Sequence, residues 1–457
     1  MNAANAAQQD RFCPPAPYPV DGQRTGLLHG LRTFRSQIEG LPADVFEADA
    51  WRPPLPGMPL FVMQPDAIRR ILLTEADRFP FGALFERIMR PVWGQGLLLS
   101  KGPAWRAQRH AAAQAFRAGD MAGLAPWFVK AANAALARWQ ALPDRRIDLL
   151  DEMKRVTFDI IIDTMLSGAD SFDHAAIQTR IKALFADVSR IRPSYILRQD
   201  AYHDGRPAAT SVHKPEIMDH IGALISVRRN APPRGDLVDL LLAAHDPDTG
   251  KGFSDAQLAD NLLGFIMAGH ETTAVALTWT LYLVASHAPT RARLLAEAEA
   301  VTAGEPVAAH HLPQLVFARQ VVSESMRLYP PAFMLTRVSA RDTEIAGFAV
   351  KAGQRVNIPI YAIHRRAAVW PDPHAFDPDR FAPGQPAPDK FAYLPFGGGP
   401  RICIGAAFAM AEIVTLLVTL VRAAGIEPPP EGVVWPQTGL ALYPRNGMPV
   451  TIIARQT

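Results

Sequence analysis

The sequence predicts a mainly α protein with a minor β region. Apolar residues recur at three- and four-residue steps through most of the chain from Pro103 to Leu328. Short alternating segments punctuated by proline and glycine lie before and after that region. The 457 residues are 49% hydrophobic and 20% charged, enough for a large core. A net charge of +3 without a basic run excludes a nucleic-acid arm.

The organisation expected is a flexible, polar and proline-rich tail over residues 1–25, followed by one domain over 26–457. The tail has no apolar stretch near the ~18 residues of a membrane span, so no anchor is expected. Only Cys13 and Cys403 occur, which points to a reducing compartment and a cytoplasmic protein. Cys13 reads as a bystander.

From Ala43 to Phe81 a small β region carries one helix opening at Pro65-Asp66-Ala67, with Ile68, Ile71 and Leu72 on one face. Phe79 to Leu99 reads as a loop. Helices follow from Pro103, then over 125–141, 149–167, 175–191, 214–229 and 237–244, with a polar loop at 199–212. Ser254-x-x-Gln257 has the form of a capping box and opens a helix running to Ser286. That helix is apolar on most sides and so must be buried. A further helix ends at Pro330-Pro331, short strands run from Thr336 to Ile360, and a hairpin is expected around Asn446-Gly447.

The chain is organised around Phe396-Gly397-Gly398-Gly399-Pro400-Arg401-Ile402-Cys403-Ile404-Gly405. This glycine-rich loop delivers a lone cysteine to the start of an apolar helix. Free N–H groups and the dipole there favour a thiolate. No local histidine base serves a nucleophile, and no Cys/His set serves zinc. A single thiolate suits a cofactor that brings its other ligands, as haem does; an inert cysteine in a turn is the alternative.

The stretch resembles the haem-binding signature of the cytochromes P450, matched by Phe396, Gly399, Arg401, Cys403 and Gly405. The resemblance implies the fold of that family, a triangular prism with haem b buried between the long helix and the helix after Cys403. It makes Cys403 the metal ligand, with Phe396 shielding the sulfur. Three further motifs occur in the family's order. Trp105 and Arg109, four apart on one helix face, match a propionate-binding pair, and Arg337 and Arg401 match further propionate positions. Ala268-Gly269-His270-Glu271-Thr272-Thr273 matches the distal motif, in which Glu271 and Thr272 manage the protons that O–O cleavage consumes. Glu324-x-x-Arg327 with Arg380 matches a buried charge triad that fixes the cysteine loop.

The implied reaction is monooxygenation of a lipophilic small molecule with O₂. The alternatives are a peroxide-driven or non-oxidative haem-thiolate enzyme, and a non-catalytic haem sensor. Candidate pocket residues are Phe81, Phe85, Ile88, Phe265, Phe333, Met334, Leu335 and Leu442. Leu184, Phe185, Ile191, Tyr195 and Ile196 are lid candidates, and Arg90 and Arg192 are possible carboxylate anchors whose surface reading is preferred. No flavin or iron–sulfur module is recognisable, so electrons are expected from a ferredoxin or flavodoxin with its reductase, docking on Arg106, Arg109, His110, Arg117 and Arg401 of a monomer.

Overall fold

The computed structural model describes residues 12–17, 36–165 and 213–454 apart from single positions 55, 56, 235, 247 and 431, together with a few positions between 176 and 184. Five helices position the site: α1 (Gly102–Ala115), α2 (Leu149–Met165), α3 (Asp255–Ser286), α4 (Val316–Leu328) and α5 (Ala406–Ala423). The 32 residues of α3 span about 48 Å. Its capping box is complete: the Gln257 N–H donates to Ser254 Oγ, and the Ser254 N–H donates to Gln257 Oε1. Packed against α2, α4 and α5, this helix is the axis of the core.

Helix α5 is apolar and long enough to cross a bilayer by composition alone. Its face is instead packed on α3, α4 and the helix Ala125–Ala141, so tertiary burial satisfies it.

Seven strands matter for the site: β1 (Ala50–Trp51), β2 (Leu60–Val62), β3 (Leu335–Val338), β4 (Arg355–Ile358), β5 (Pro436–Thr438), β6 (Leu442–Pro444) and β7 (Pro449–Ala454). One sheet has the order β1-β2-β4-β3, with β2 parallel to β4 at Leu60↔Val356 and β3 antiparallel to β4 at Arg337↔Val356. That register carries Arg337 from the sheet towards the cysteine loop.

Three expectations change. Residues 79–99 are not all loop: Ala83–Trp93 is a helix. Its charged positions Glu86, Arg87 and Arg90 cluster between apolar ones, but Pro91 and the flanking glycines masked the pattern. The C-terminal hairpin pairs differently. Strand β6 pairs with β5, whereas both edges of β7 are taken by Arg146–Asp148 and Ala424–Glu427, leaving none for β6. Residues 12–17 of the expected tail lie against the fold: Phe12 stacks on His287 at 5.7 Å and the Tyr329 hydroxyl donates to the Pro15 carbonyl. Cys13 is exposed there. Of the lid candidates Leu184 is buried, while Phe185, Ile191, Tyr195 and Ile196, like Arg192, lie outside the described residues.

Candidate active site

The loop before α5 reaches its position through two left-handed glycines, Gly397 (φ 73°) and Gly399 (φ 68°). At Gly399 any Cβ would lie 1.7 Å from the Leu72 carbonyl oxygen, so the loop is pressed onto the segment Arg70–Thr74. The Cys403 N–H donates to the Phe396 carbonyl at 2.9 Å, closing the loop beneath the sulfur.

Cys403 opens into a cavity lined also by Phe81, Trp93, Leu97, Leu98, Trp105, Arg109, Asp260, Phe265, Ala268 and Arg401. Cys403 is exposed to that cavity, and desolvation of its sulfur there pushes the thiol above its usual range. The Gly405 N–H and the Arg109 guanidinium oppose the shift.

Arg109 and Arg401 line the cavity, and Arg337 lines an adjoining cleft that shares Phe81, Trp105 and Arg401 with it. Arg401 lies 4.3 Å from the Trp105 ring centroid and donates to the Ser100 carbonyl at 2.7 Å. Arg337 lies 4.4 Å over the Phe81 ring. Burial first, and then Arg401, lowers Arg337 to about 10; burial first, and then Arg109, lowers Arg401 to about 10. Burial likewise lowers Arg109, which the Cys403 side partly offsets. Mutually unfavourable cations around an apolar cavity call for an anionic occupant, which a flat ring bearing carboxylates supplies.

The opposite wall is the middle of α3. Helix positions around it are buried, but Ala268 lines the cavity and Thr272, one turn on, is exposed. The Thr272 hydroxyl donates to the Ala268 carbonyl at 2.7 Å, and the helix continues unbroken. Gly269 faces elsewhere: a Cβ there would meet Ile161 Cδ1 at 2.7 Å, so this glycine lets α2 approach. The Glu271 carboxylate lies 3.8 Å from Lys154 Nζ of α2. Burial first, and then that carboxylate, pushes the Tyr443 hydroxyl of β6 far above its usual range. Sequence reasoning missed both neighbours. A buried acid signals that partners exist, but only the fold says which.

Glu324 and Arg327 pair at 2.6 and 2.7 Å, and Arg380 Nε lies 3.4 Å from Glu324 Oε1. The three are brought together. Of the pocket candidates, Phe81 and Phe265 line the cavity, and Phe85 stacks on Phe81 at 4.8 Å. Leu335 approaches Gly397, and Met334 is half-buried. Phe333 is buried with its carbonyl bonded to the Tyr361 N–H. Leu442 is fully buried and gives its carbonyl to Trp279 Nε1 at 2.7 Å, so it is core. Ile88 belongs to the helix Ala83–Trp93, with its side chain outside the described residues. Arg90 pairs with Glu86. Of the expected docking residues, Arg106 and Arg117 are exposed, but His110 faces Asp246 and Asp248.

The family profile described as Cytochrome P450 matches residues 55–448. The chain is 30% identical over 381 residues to cyclooctat-9-en-7-ol 5-monooxygenase of Streptomyces melanosporofaciens, covering 82% of each chain. It is 32% identical over 400 residues to cytochrome P450 4F12 of Homo sapiens, covering 80% of this chain and 75% of that one. The solved cytochrome P450DA heme domain superposes with a TM-score of 0.79 at 24% identity, covering 98% of this chain and 99% of that one, a likeness of fold. With the profile spanning most of its length, the chain belongs to the cytochrome P450 family and is a haem-dependent monooxygenase of a lipophilic substrate.

Proposed function

We propose that this protein is a haem b monooxygenase that hydroxylates or epoxidises a lipophilic small molecule. It takes electrons from a separate acidic ferredoxin or flavodoxin and works as a cytoplasmic monomer. The observation that carries the reading is one apolar cavity lined by a lone cysteine, by the guanidiniums of Arg109 and Arg401, and by Ala268 of α3, one turn before the exposed Thr272. Haem bound there supplies reductive activation of O₂, one oxygen entering the substrate and the other leaving as water.

The chain's own residues divide the remaining work. Cys403 would hold the metal, and Arg109, Arg337 and Arg401 would take the carboxylates of the group, with Trp105 packed on the Arg401 guanidinium. This ligand set would give the sulfur a metal and the guanidiniums anionic partners. Thr272, exposed one turn after the cavity-lining Ala268 and bonded to its carbonyl, offers a hydroxyl on that side of α3, and Glu271 carries protons towards it from the α2 side. The apolar wall of Phe81, Trp93, Leu97, Leu98 and Phe265 excludes water and favours a lipophilic substrate. One relative is named as a monooxygenase of cyclooctat-9-en-7-ol, which accords with such a wall.

Exposed Arg106 and Arg117 lie on or next to the helix that carries Arg109, which suits an acidic electron donor. Both cysteines are free, as in a reducing compartment. The test is the visible spectrum of the dithionite-reduced protein with carbon monoxide. A strongly red-shifted Soret band that is lost in Cys403→Ser supports the reading; a histidine-type spectrum overturns it.

A further inference from the structure

We infer that Asp260 of α3 is a positioning residue for residues 94–100, a strap along the cavity wall, and that its hold on the strap limits how fast small molecules enter. The inference rests on the reading of that cavity as the haem and substrate site. It adds a residue about three helical turns before the Glu271–Thr272 pair.

The strap is gripped from two sides through its peptide groups. On one side α3 accepts its N–H groups. The Gln95 N–H donates to Asp260 Oδ2 at 2.9 Å, and the Leu97 N–H donates to Asn261 Oδ1 at 2.8 Å. On the other side the Arg401 guanidinium donates to the carbonyls of Leu97 and Leu98, both at 3.3 Å, and of Ser100 at 2.7 Å. Gly96, Leu97 and Leu98 line the cavity together with Asp260 and Asn261. Moving the strap therefore moves the cavity wall.

The two anchors on α3 differ in kind. Asn261 is fully buried, and its Nδ2 donates to Gln108 Oε1 of α1 at 2.9 Å and to the Gln257 carbonyl at 2.8 Å. Gln108 Nε2 returns to the strap, donating to the Gln95 carbonyl at 3.3 Å. Opening that network would strand several buried polar groups, so it is the fixed end. Asp260 is half-buried and bonds the exposed Gln95, where water can take its place. One charge-assisted bond therefore closes the end of the strap that opens with least loss.

The backbone at that end is built for close approach. Gly94 follows the helix Ala83–Trp93 with a φ of 50°, and a Cβ on it would lie 2.3 Å from Asp260 Oδ1. On Gly96 a Cβ would lie 3.1 Å from the Asp260 carbonyl oxygen. The glycines on either side of Gln95 thus let the strap lie directly on Asp260, and the same backbone freedom lets it swing away. Trp93 does not follow: it is buried and packed over Gly264 of α3, where a Cβ would meet its Cδ1 at 3.1 Å. Release at Asp260 frees residues 94–96 between the fixed Trp93 and the Asn261-bound Leu97. A gap opens there, because Trp93, Gly96 and Leu97 are all cavity wall.

The test uses the haem-loaded protein, with Asp260→Ala removing the acceptor and Asp260→Asn keeping one. Amide exchange over residues 93–99 is read by mass spectrometry, and imidazole association by the Soret shift in stopped flow. Asp260→Ala should speed both about tenfold, as expected for one lost bond to a carboxylate, with exchange over α1 unchanged. Asp260→Asn should return both most of the way to the wild-type values. Unchanged exchange over 93–99, or faster exchange there with an unchanged imidazole rate, overturns the inference. Exchange that rises equally over α1 marks a general loosening and overturns it too. A wild-type protein without an imidazole-induced Soret shift overturns the haem reading instead, and the exchange comparison still decides whether Asp260 holds the strap.

Discussion

Glu324 and Arg327 lie one helical turn apart with no solvent exposure, joined by bonds of 2.6 and 2.7 Å between guanidinium and carboxylate. Arg327 spends its remaining donors on the carbonyls of His364, Pro373 and Ala375, and Glu324 accepts from the Asp377 N–H at 2.9 Å. The pair therefore ties α4 to the chain that leads into the cysteine loop.

Replacing Glu324 with Gln strands Arg327 without its counter-ion in the core. A buried pair broken on one side costs about 3–5 kcal/mol. The expected outcome is a lower melting temperature together with a lower haem-to-protein absorbance ratio on purification. Full haem content in Glu324→Gln would show that the pair does not govern the loop.

Gly399→Ala should be among the most damaging single-methyl additions in the protein. The new Cβ would collide with the Leu72 carbonyl, and the left-handed backbone adds a further ~1–2 kcal/mol. Gly384 has a similar φ of 87° but open space around it. Gly384→Ala should therefore cost only the backbone part. Equal losses of stability for the two variants in urea unfolding would refute the close approach.

His364 is fully buried, accepting at Nε2 from the Leu394 N–H at 2.8 Å while Nδ1 faces the Arg327 carbonyl at 3.2 Å. Burial first, and then Arg327, depresses it to about 3. Below the ordinary histidine value of ~6.5 the unfolded chain binds a proton that the folded chain refuses. Stability from this group is thus complete above that pH and is lost as pH falls towards about 3. Between pH 6.5 and 5 the loss should reach ~2 kcal/mol at most, read as a urea-midpoint shift that shrinks in His364→Gln.

Arg106→Glu with Arg117→Glu should slow reduction by an acidic electron donor about tenfold at low salt, with the difference fading as ionic strength rises. Substrate-induced spectral shifts should stay unchanged. His110 is left out because Asp246 and Asp248 already face it. Salt-independent kinetics would remove this face from consideration.

The bounds of the long helix, its capping box and the cysteine loop were legible because their causes are local: a Ser/Gln cap, an apolar period, and glycines at turns. The spacing of Glu324 and Arg327 and of Trp105 and Arg109 was legible for the same reason, since helix geometry puts such residues on one face. Only tertiary structure decided the rest. Whether Phe333 and Leu442 reach a pocket or fill the core depends on which backbone groups pass beside them, and for Leu442 that neighbour is Trp279 of α3. Gly269 proved to be space for Ile161. The strands of the expected hairpin took other partners because both edges of β7 were already occupied. Above all, the surroundings of Cys403 and of Glu271 are set by residues from distant elements. Those are sums over three-dimensional neighbours that no spacing along the chain encodes.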